Sequence, residues 1–454
     1  MKSSSQAIVN YTIKKILSRT KKDSHLGELL SGSFIALSLR IVGIVFGYVL
    51  TLLISRNFGA GAMGIFALSA TVLSMLAIVG RLGFDTAILK FVAEYTAQNR
   101  QDLVKEVYYK ALKVVLPFSL AISIALFFLS PYIAVYIFHK EHLSPYFRVA
   151  SVGIVPLVLK LINAQALRSV RRIREFSFFQ NVANVFFASV FLVLLLPFPR
   201  MNLFPVEAHV ASLILGAVLS QIAWKKYARL DAEPNNNLLR IPEIMHVSLP
   251  MMFTSSMFFV MYWTDTLMLG MFRPEAEVGI FNVAVKIASA VSFPLVTINS
   301  ISASKFAELH SKKDLKGLRK IVKQSTKLIF WTSLPIAATI LLFPSFILGV
   351  VGKEFQAGVF TLCILAVGQF VNAISGGVGP LLNMTGRQKA FRNIIISASL
   401  LNVLLNVLLI PKYGGIGAAF ASMASVVAWN IACVIYIKSY LDVVTIHVPF
   451  LSRE

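Results

Sequence analysis

A chain of 454 residues that is 57% hydrophobic and only 14% charged, with a mean hydropathy of +0.76, cannot be a soluble globule. Its formal net charge of +23 would suggest a nucleic-acid partner in a soluble protein, but the placement of the charges along this chain excludes that partner. Cys363 and Cys433 both fall in apolar stretches, so a disulfide framework is not part of the design.

Residues 1–32 are polar and basic, with Ala7, Ile8, Tyr11 and Leu17 supplying an apolar side, and read as a helix lying on the membrane surface. The segment is too long and polar for a signal-peptide leader, so no cleavage is expected. Apolar spans of about 20 residues, the length that crosses a hydrocarbon core, then follow near 33–54, 62–80, 114–137, 146–167, 176–196 and 209–224. A polar linker occupies 225–245, and the second half continues with spans near 246–270, 279–303, 328–350, 357–382, 394–410 and 414–437, before a tail at 438–454. The expected fold is an all-α polytopic membrane protein of twelve transmembrane helices in two six-helix lobes, 33–224 and 246–437.

The lysines and arginines test this layout. With an inner N-terminus, the inner segments hold 33 of the 43 basic residues, and the outer loops hold only Arg56, Lys140, Arg148, Arg200, Arg273, Lys353 and Lys412. This is the positive-inside pattern, and it predicts that both termini are cytoplasmic. The high charge is thus a topology signal, and the inner face should attract anionic membrane lipids.

The halves are copies. Gly64-Ile65-Phe66 recurs as Gly279-Ile280-Phe281, Lys90-Phe91 as Lys305-Phe306, Gly153 as Gly368 and Phe176 as Phe391, each 215 positions on. An even number of spans per half gives both copies one orientation, so the expected pseudo-two-fold axis runs along the membrane normal, with a central cleft between the lobes. The run from Gly376 to Pro380, GGVGP, is expected to break its helix.

Four ionisable residues lie inside spans: Arg40, Lys160, Asp265 and Lys286. A charge at mid-bilayer costs at least ~3 kcal/mol, so each should face the lobe interior or a watery cavity. Ser33, Ala36, Arg40, Gly43, Gly47 and Thr51 follow steps of three or four, placing small or polar residues and Arg40 on one face, where the guanidinium could grip a phosphate bidentately. For Lys160, a functional role and a stem reaching back to the inner headgroups stay open. Asp265 and Lys286 lie at similar depth: they form either a structural ion pair, or a carboxylate that binds a proton or sodium beside a lysine that meets an anion. The charges do not recur in the copies, as Arg40 and Lys160 match Ser255 and Ser375. Their net charge of +2 points to an anionic ligand.

Asn402 and Asn406, with Asn163, Gln180, Asn181 and Asn184, read as hydrogen-bond links between helices. His139 and His142 lack a third ligand, so no metal is expected. The chain has no phosphate-binding Walker loop, nucleophile elbow or zinc-protease motif, so neither enzyme activity nor a cofactor is expected.

The stretch from Ile54 to Phe66, ISRNFGAGAMGIF, followed by RLGFDTA from Arg81 to Ala87 and by Lys90-Phe91, resembles the multidrug/oligosaccharidyl-lipid/polysaccharide exporter superfamily, most nearly the Wzx-type polysaccharide flippases. The resemblance implies a V-shaped, MATE-like pair of lobes. It implies a flippase that carries an undecaprenyl-pyrophosphate-linked oligosaccharide from inner to outer leaflet of a prokaryotic cytoplasmic membrane, for cell-surface polysaccharide. It also implies that cavity cations, matched here by Arg40 and Lys286, receive the pyrophosphate or acidic sugars. Lys160 joins them as a substrate candidate, Asp265 is the candidate for H+ or Na+ coupling, and polymerase or glycosyltransferase partners are the expected company. The chain departs from the fourteen-span lipid II flippases in length. A drug or cation antiporter of the same superfamily and a non-transporting scaffold of a glycan-assembly complex remain the alternatives.

Overall fold

Backbone in hydrocarbon must satisfy its own hydrogen bonds, and a helix does so within one segment. The computed structural model describes residues 24–198, 201–228 and 241–446, and every element among them is helical. Most of the expected surface helix at 1–32, and parts of the linker at 225–245 and the tail at 438–454, fall outside the described residues. In chain order the helices are α1 (Ser24–Gly80), α2 (Phe84–Ala97), α3 (Gln101–Ile137), α4 (Glu141–Ser169), α5 (Ile173–Leu195), α6 (Phe204–Tyr227), α7 (Ile241–Phe272), α8 (Glu275–Ser311), α9 (Leu315–Leu342), α10 (Pro344–Val351), α11 (Lys353–Met384) and α12 (Gln388–Leu441).

Nine helices among the described residues are long and apolar enough to cross a membrane. Two of them, α1 with 57 residues and α12 with 54, are far longer than a ~30 Å core requires. Each changes direction at a glycine in the left-handed region, Gly59 (φ 85°) and Gly414 (φ 54°), and so comprises two arms of membrane length. In α11 the expected break is present: the helix stops at Ile374, Gly376 takes φ 75°, and helix resumes at Val378.

The two copies of Gly-Ile-Phe meet. A side chain at Gly64 would collide with the carbonyl of Glu275, and one at Gly279 with the carbonyl of Ala60. These contacts exchange under the 215-residue offset, so the pseudo-two-fold axis passes between the glycines. Reciprocal clasps flank the contact at what the charge pattern assigns as the outer end. Lys140, between α3 and α4, donates to the Arg273 carbonyl at 2.5 Å and lies 3.2 Å from Glu275, and His142 lies 3.0 Å from the same carboxylate. In the other copy, Glu354 at the start of α11 accepts from the Ala60 amide at 2.7 Å, and Arg56 donates to the Val350 carbonyl at 2.6 and 2.9 Å. His142 is thus part of a clasp, and the described residues hold no cluster of three metal-ligating side chains.

The opposite, inner end lacks this symmetry. There α2 follows Gly83, whose close approach to the Ser248 carbonyl of α7 leaves no room for a side chain. The copy of that contact would join the regions of residues 33 and 298, where Phe34, Ile35 and Ile301 are exposed. One buried apolar core spans both halves, from Leu50 to Ala419, whereas Phe306, Leu318, Phe391 and Ile437 form a separate core within the second half.

Candidate functional site

Asp265 is four per cent exposed, near the outer end of α7. Asn402 and Asn406 stand one turn apart on α12, so both amides face it, donating to Oδ1 at 3.1 and 2.5 Å. The hydroxyl of Ser422, on the second arm of α12, donates to Oδ2. A cavity of about 70 Å³ adjoins the carboxylate, lined also by Thr266, Asn282 of α8 and Gln369 of α11. Thr266 donates to Asn282 Oδ1 at 3.2 Å, and Gln369 Oε1 accepts from Ser292 at 2.5 Å. The pocket offers one carboxylate among neutral oxygens, a set suited to a proton or a small hard cation. The asparagines do link helices, as expected, and the structure adds that their shared acceptor is Asp265. Thr266, Gln369 and Ser422 escaped sequence reasoning, since single polar residues in apolar spans carry no periodic signal.

Lys286 does not pair with Asp265. On α8, Asn282 and Val285 face the Asp265 pocket, while Val283 and Lys286 line a different cavity. The Lys286 ammonium donates to the Gly47 carbonyl and to Thr51 Oγ1, both at 2.5 Å, and the Tyr48 hydroxyl donates to the Lys286 carbonyl at 2.8 Å. A cation of the second half is therefore fastened to α1 of the first through neutral acceptors. Gly47 lies directly against it: a Cβ there would stand in ordinary contact, 3.6 Å from Lys286 Nζ.

Arg40 lies seven residues before Gly47 on the same face of α1, about 10 Å along the helix. It is exposed and makes no hydrogen bond or ion pair with a described residue. The expected face divides, because Gly43 turns toward α5, where a side chain would collide with the Asn181 carbonyl.

Lys160 stands apart. It is three per cent exposed on α4, and a Cβ at Gly216 of α6 would lie 3.1 Å from its Cδ. This burial excludes the reach to inner headgroups. Its ammonium has no hydrogen bond or ion pair with a described residue. In the same half, His209 of α6 packs edge-on to Phe66, with ring centroids 5.4 Å apart. The structure thus brings Arg40 and Lys286 onto one line at the seam of the halves, and leaves Asp265 inside the second half and Lys160 inside the first.

A family model described as "Polysaccharide biosynthesis protein" matches residues 29–304, and one described as "MatE" matches residues 250–408. A protein of Haloferax volcanii described as "Probable low-salt glycan biosynthesis flippase Agl15" is 25% identical over 429 residues, 92% of this chain and 83% of that one. Among solved structures, an inward-facing multidrug resistance MATE family transporter of the MOP superfamily superposes with a TM-score of 0.74 at 14% identity, over 90% of this chain and 98% of that one. The lipid II flippase MurJ in an inward closed conformation gives 0.73 at 14% identity, over 90% and 87%.

Proposed function

The chain belongs to the polysaccharide biosynthesis protein family of the multidrug/oligosaccharidyl-lipid/polysaccharide exporter superfamily, and from that premise we propose that it is a flippase for an undecaprenyl-pyrophosphate-linked oligosaccharide. The observation that carries the proposal is the cation line at the seam, where, among the described residues, Arg40 has no hydrogen-bond or ion-pair partner and Lys286 has only neutral ones. A guanidinium without a carboxylate, in a membrane protein, is suited to grip a compact anion such as a pyrophosphate.

In this proposal the chain crosses the cytoplasmic membrane twelve times with both termini inside, and lobes 33–224 and 246–437 rock about the glycine contact. Cargo enters from the inner leaflet on the side where Phe34, Ile35 and Ile301 are exposed, meets Arg40, and advances to Lys286. Lys160 follows only where α4 and α6 part. Protonation or sodium binding at Asp265 is the coupling step, transmitted through α8, which borders both pockets.

Flipping of a labelled pyrophosphate-linked oligosaccharide in proteoliposomes tests the reading. The parent transports, and Arg40→Gln, matched for folding and orientation, loses at least tenfold in rate. Equal rates would discard Arg40 as the site; no transport by the parent under several ion gradients would discard the flippase. The second reading, a drug or cation antiporter, draws support from the MatE match over the half that holds Asp265. It predicts uptake of a fluorescent organic cation against a proton or sodium gradient.

A further inference from the structure

The cavity beside Lys286 has a volume of about 440 Å³ and opens between the halves. Among the described residues its polar lining is confined to Lys286, Tyr48, Thr51 and Thr339; the remaining wall is aliphatic, and none of these lining side chains is acidic. The sequence neighbours of its lining are exposed apolar residues: Val45 and Val49 on α1, Phe343 after α9 and Phe346 on α10. In a chain that spans a bilayer, an exposed rim of this kind meets hydrocarbon rather than water. The cavity is therefore an apolar recess with one cation at its floor, as wanted by an anionic head on an apolar chain.

The cation is held in a replaceable way. Its two acceptors, the Gly47 carbonyl and Thr51 Oγ1, are neutral, and both belong to the opposite half of the molecule. A partly buried ammonium compensated only by neutral groups retains part of its desolvation cost. A phosphate oxygen would pair with it in a charge-assisted hydrogen bond, roughly twice as strong as the neutral ones it replaces. Thr51 would not be stranded, because its hydroxyl already donates to Gly47 O at 3.0 Å.

We propose that this recess seats the phosphate end and first isoprenoid units of the cargo's carrier lipid, and that Lys286 exchanges Gly47 O and Thr51 Oγ1 for the phosphate, unfastening α1 from α8. The proposal rests on the flippase reading and deepens it. Arrival of cargo removes the charged tie that Lys286 makes between these helices, so loading and opening are one event. Thr51 and Tyr48 are positioning residues: the first competes with the phosphate, and the second holds the α8 backbone that carries Lys286.

The test uses the full chain in nanodiscs with farnesyl pyrophosphate as probe, against inorganic pyrophosphate and phosphatidylglycerol. Farnesyl pyrophosphate is expected to bind the parent, about tenfold more weakly to Lys286→Gln, and several-fold more tightly to Thr51→Val. Spin labels on α1 and α8 should separate when it binds. Thr339→Trp, which fills the recess from α9 and leaves the Lys286 side chain in place, should also weaken binding, and it keeps the test decisive should Lys286→Gln misfold. Equal binding of inorganic pyrophosphate would overturn the apolar half of the proposal, and equal binding of phosphatidylglycerol would make the recess an ordinary lipid site. Unchanged affinity in Thr51→Val would overturn the exchange. Oligosaccharide flipping measured on the same variants separates the two failures. A parent that flips while Thr339→Trp and Thr51→Val behave like it sinks the recess and keeps the flippase; a parent that does not flip sinks the flippase itself.

Discussion

Asp265 is held by three donors, and its environment shows how one buried carboxylate is made tolerable in a membrane protein. The Asn406 amide also bonds Asn402 Oδ1 at 3.2 Å, so removing it strips two partners at once. Asn406→Ala should cost about 1–3 kcal/mol, the price of leaving a buried polar group unpaired, read as a lowered unfolding temperature in detergent. Asp265→Asn preserves shape, and should keep most of the stability while abolishing the dependence of transport on the ion gradient. Undiminished, gradient-sensitive transport by that variant would remove Asp265 from the coupling step. At this scale the sequence was informative where spacing spoke. Asn402 and Asn406, four apart, had to share a face, and Arg40, Gly47 and Thr51 had to line up. It could not show that Gly43 turns to α5, nor that Lys286 and Asp265 lie on opposite sides of α8, because a charge's partner across the interface leaves no mark on its own helix.

Among the elements, α1 decides most. Its first arm carries Arg40 and the acceptors of Lys286, and its kink at Gly59 sets Ala60 against Glu354 and Gly64 against α8. The end that the charge pattern assigns as outer is therefore shut by backbone-to-backbone contact reinforced by two clasps. Linking cysteines at Ala60 and Glu354 with a short bifunctional reagent, in a background where Cys363 and Cys433 are replaced, should stop transport reversibly. Transport that survives a complete cross-link would show that this end does not open in the cycle. Gly64→Val and Gly279→Val each push a side chain into the other copy's carbonyl, at ~1–3 kcal/mol of overpacking, and should favour the outward-open form by a similar amount. The helix break in α11 was legible because glycines and a proline announce it. The kinks at Gly59 and Gly414 were visible only as loops between expected spans.

At the level of the whole molecule, orientation and symmetry are the testable properties. Single cysteines at positions 140 and 313, in cysteine-free protein in intact cells, should react differently with a membrane-impermeant thiol reagent: 140 is labelled and 313 is protected. The reverse pattern would invert the topology and with it the direction of transport. The sequence by itself determined the class, the helical architecture and the duplication, because hydrocarbon imposes long apolar runs and because repeated letters at one offset survive in the chain. It also named the four ionisable groups inside spans, since composition makes each conspicuous. Only the tertiary structure decided what those groups do to one another: that Lys286 ties two halves through neutral acceptors, that Asp265 has its own pocket, that Lys160 is sealed in one lobe, and that the two copies of Gly-Ile-Phe meet at Gly64 and Gly279. Such pairings are set by how helices far apart in sequence pack, and packing distances are written in no single segment of the chain.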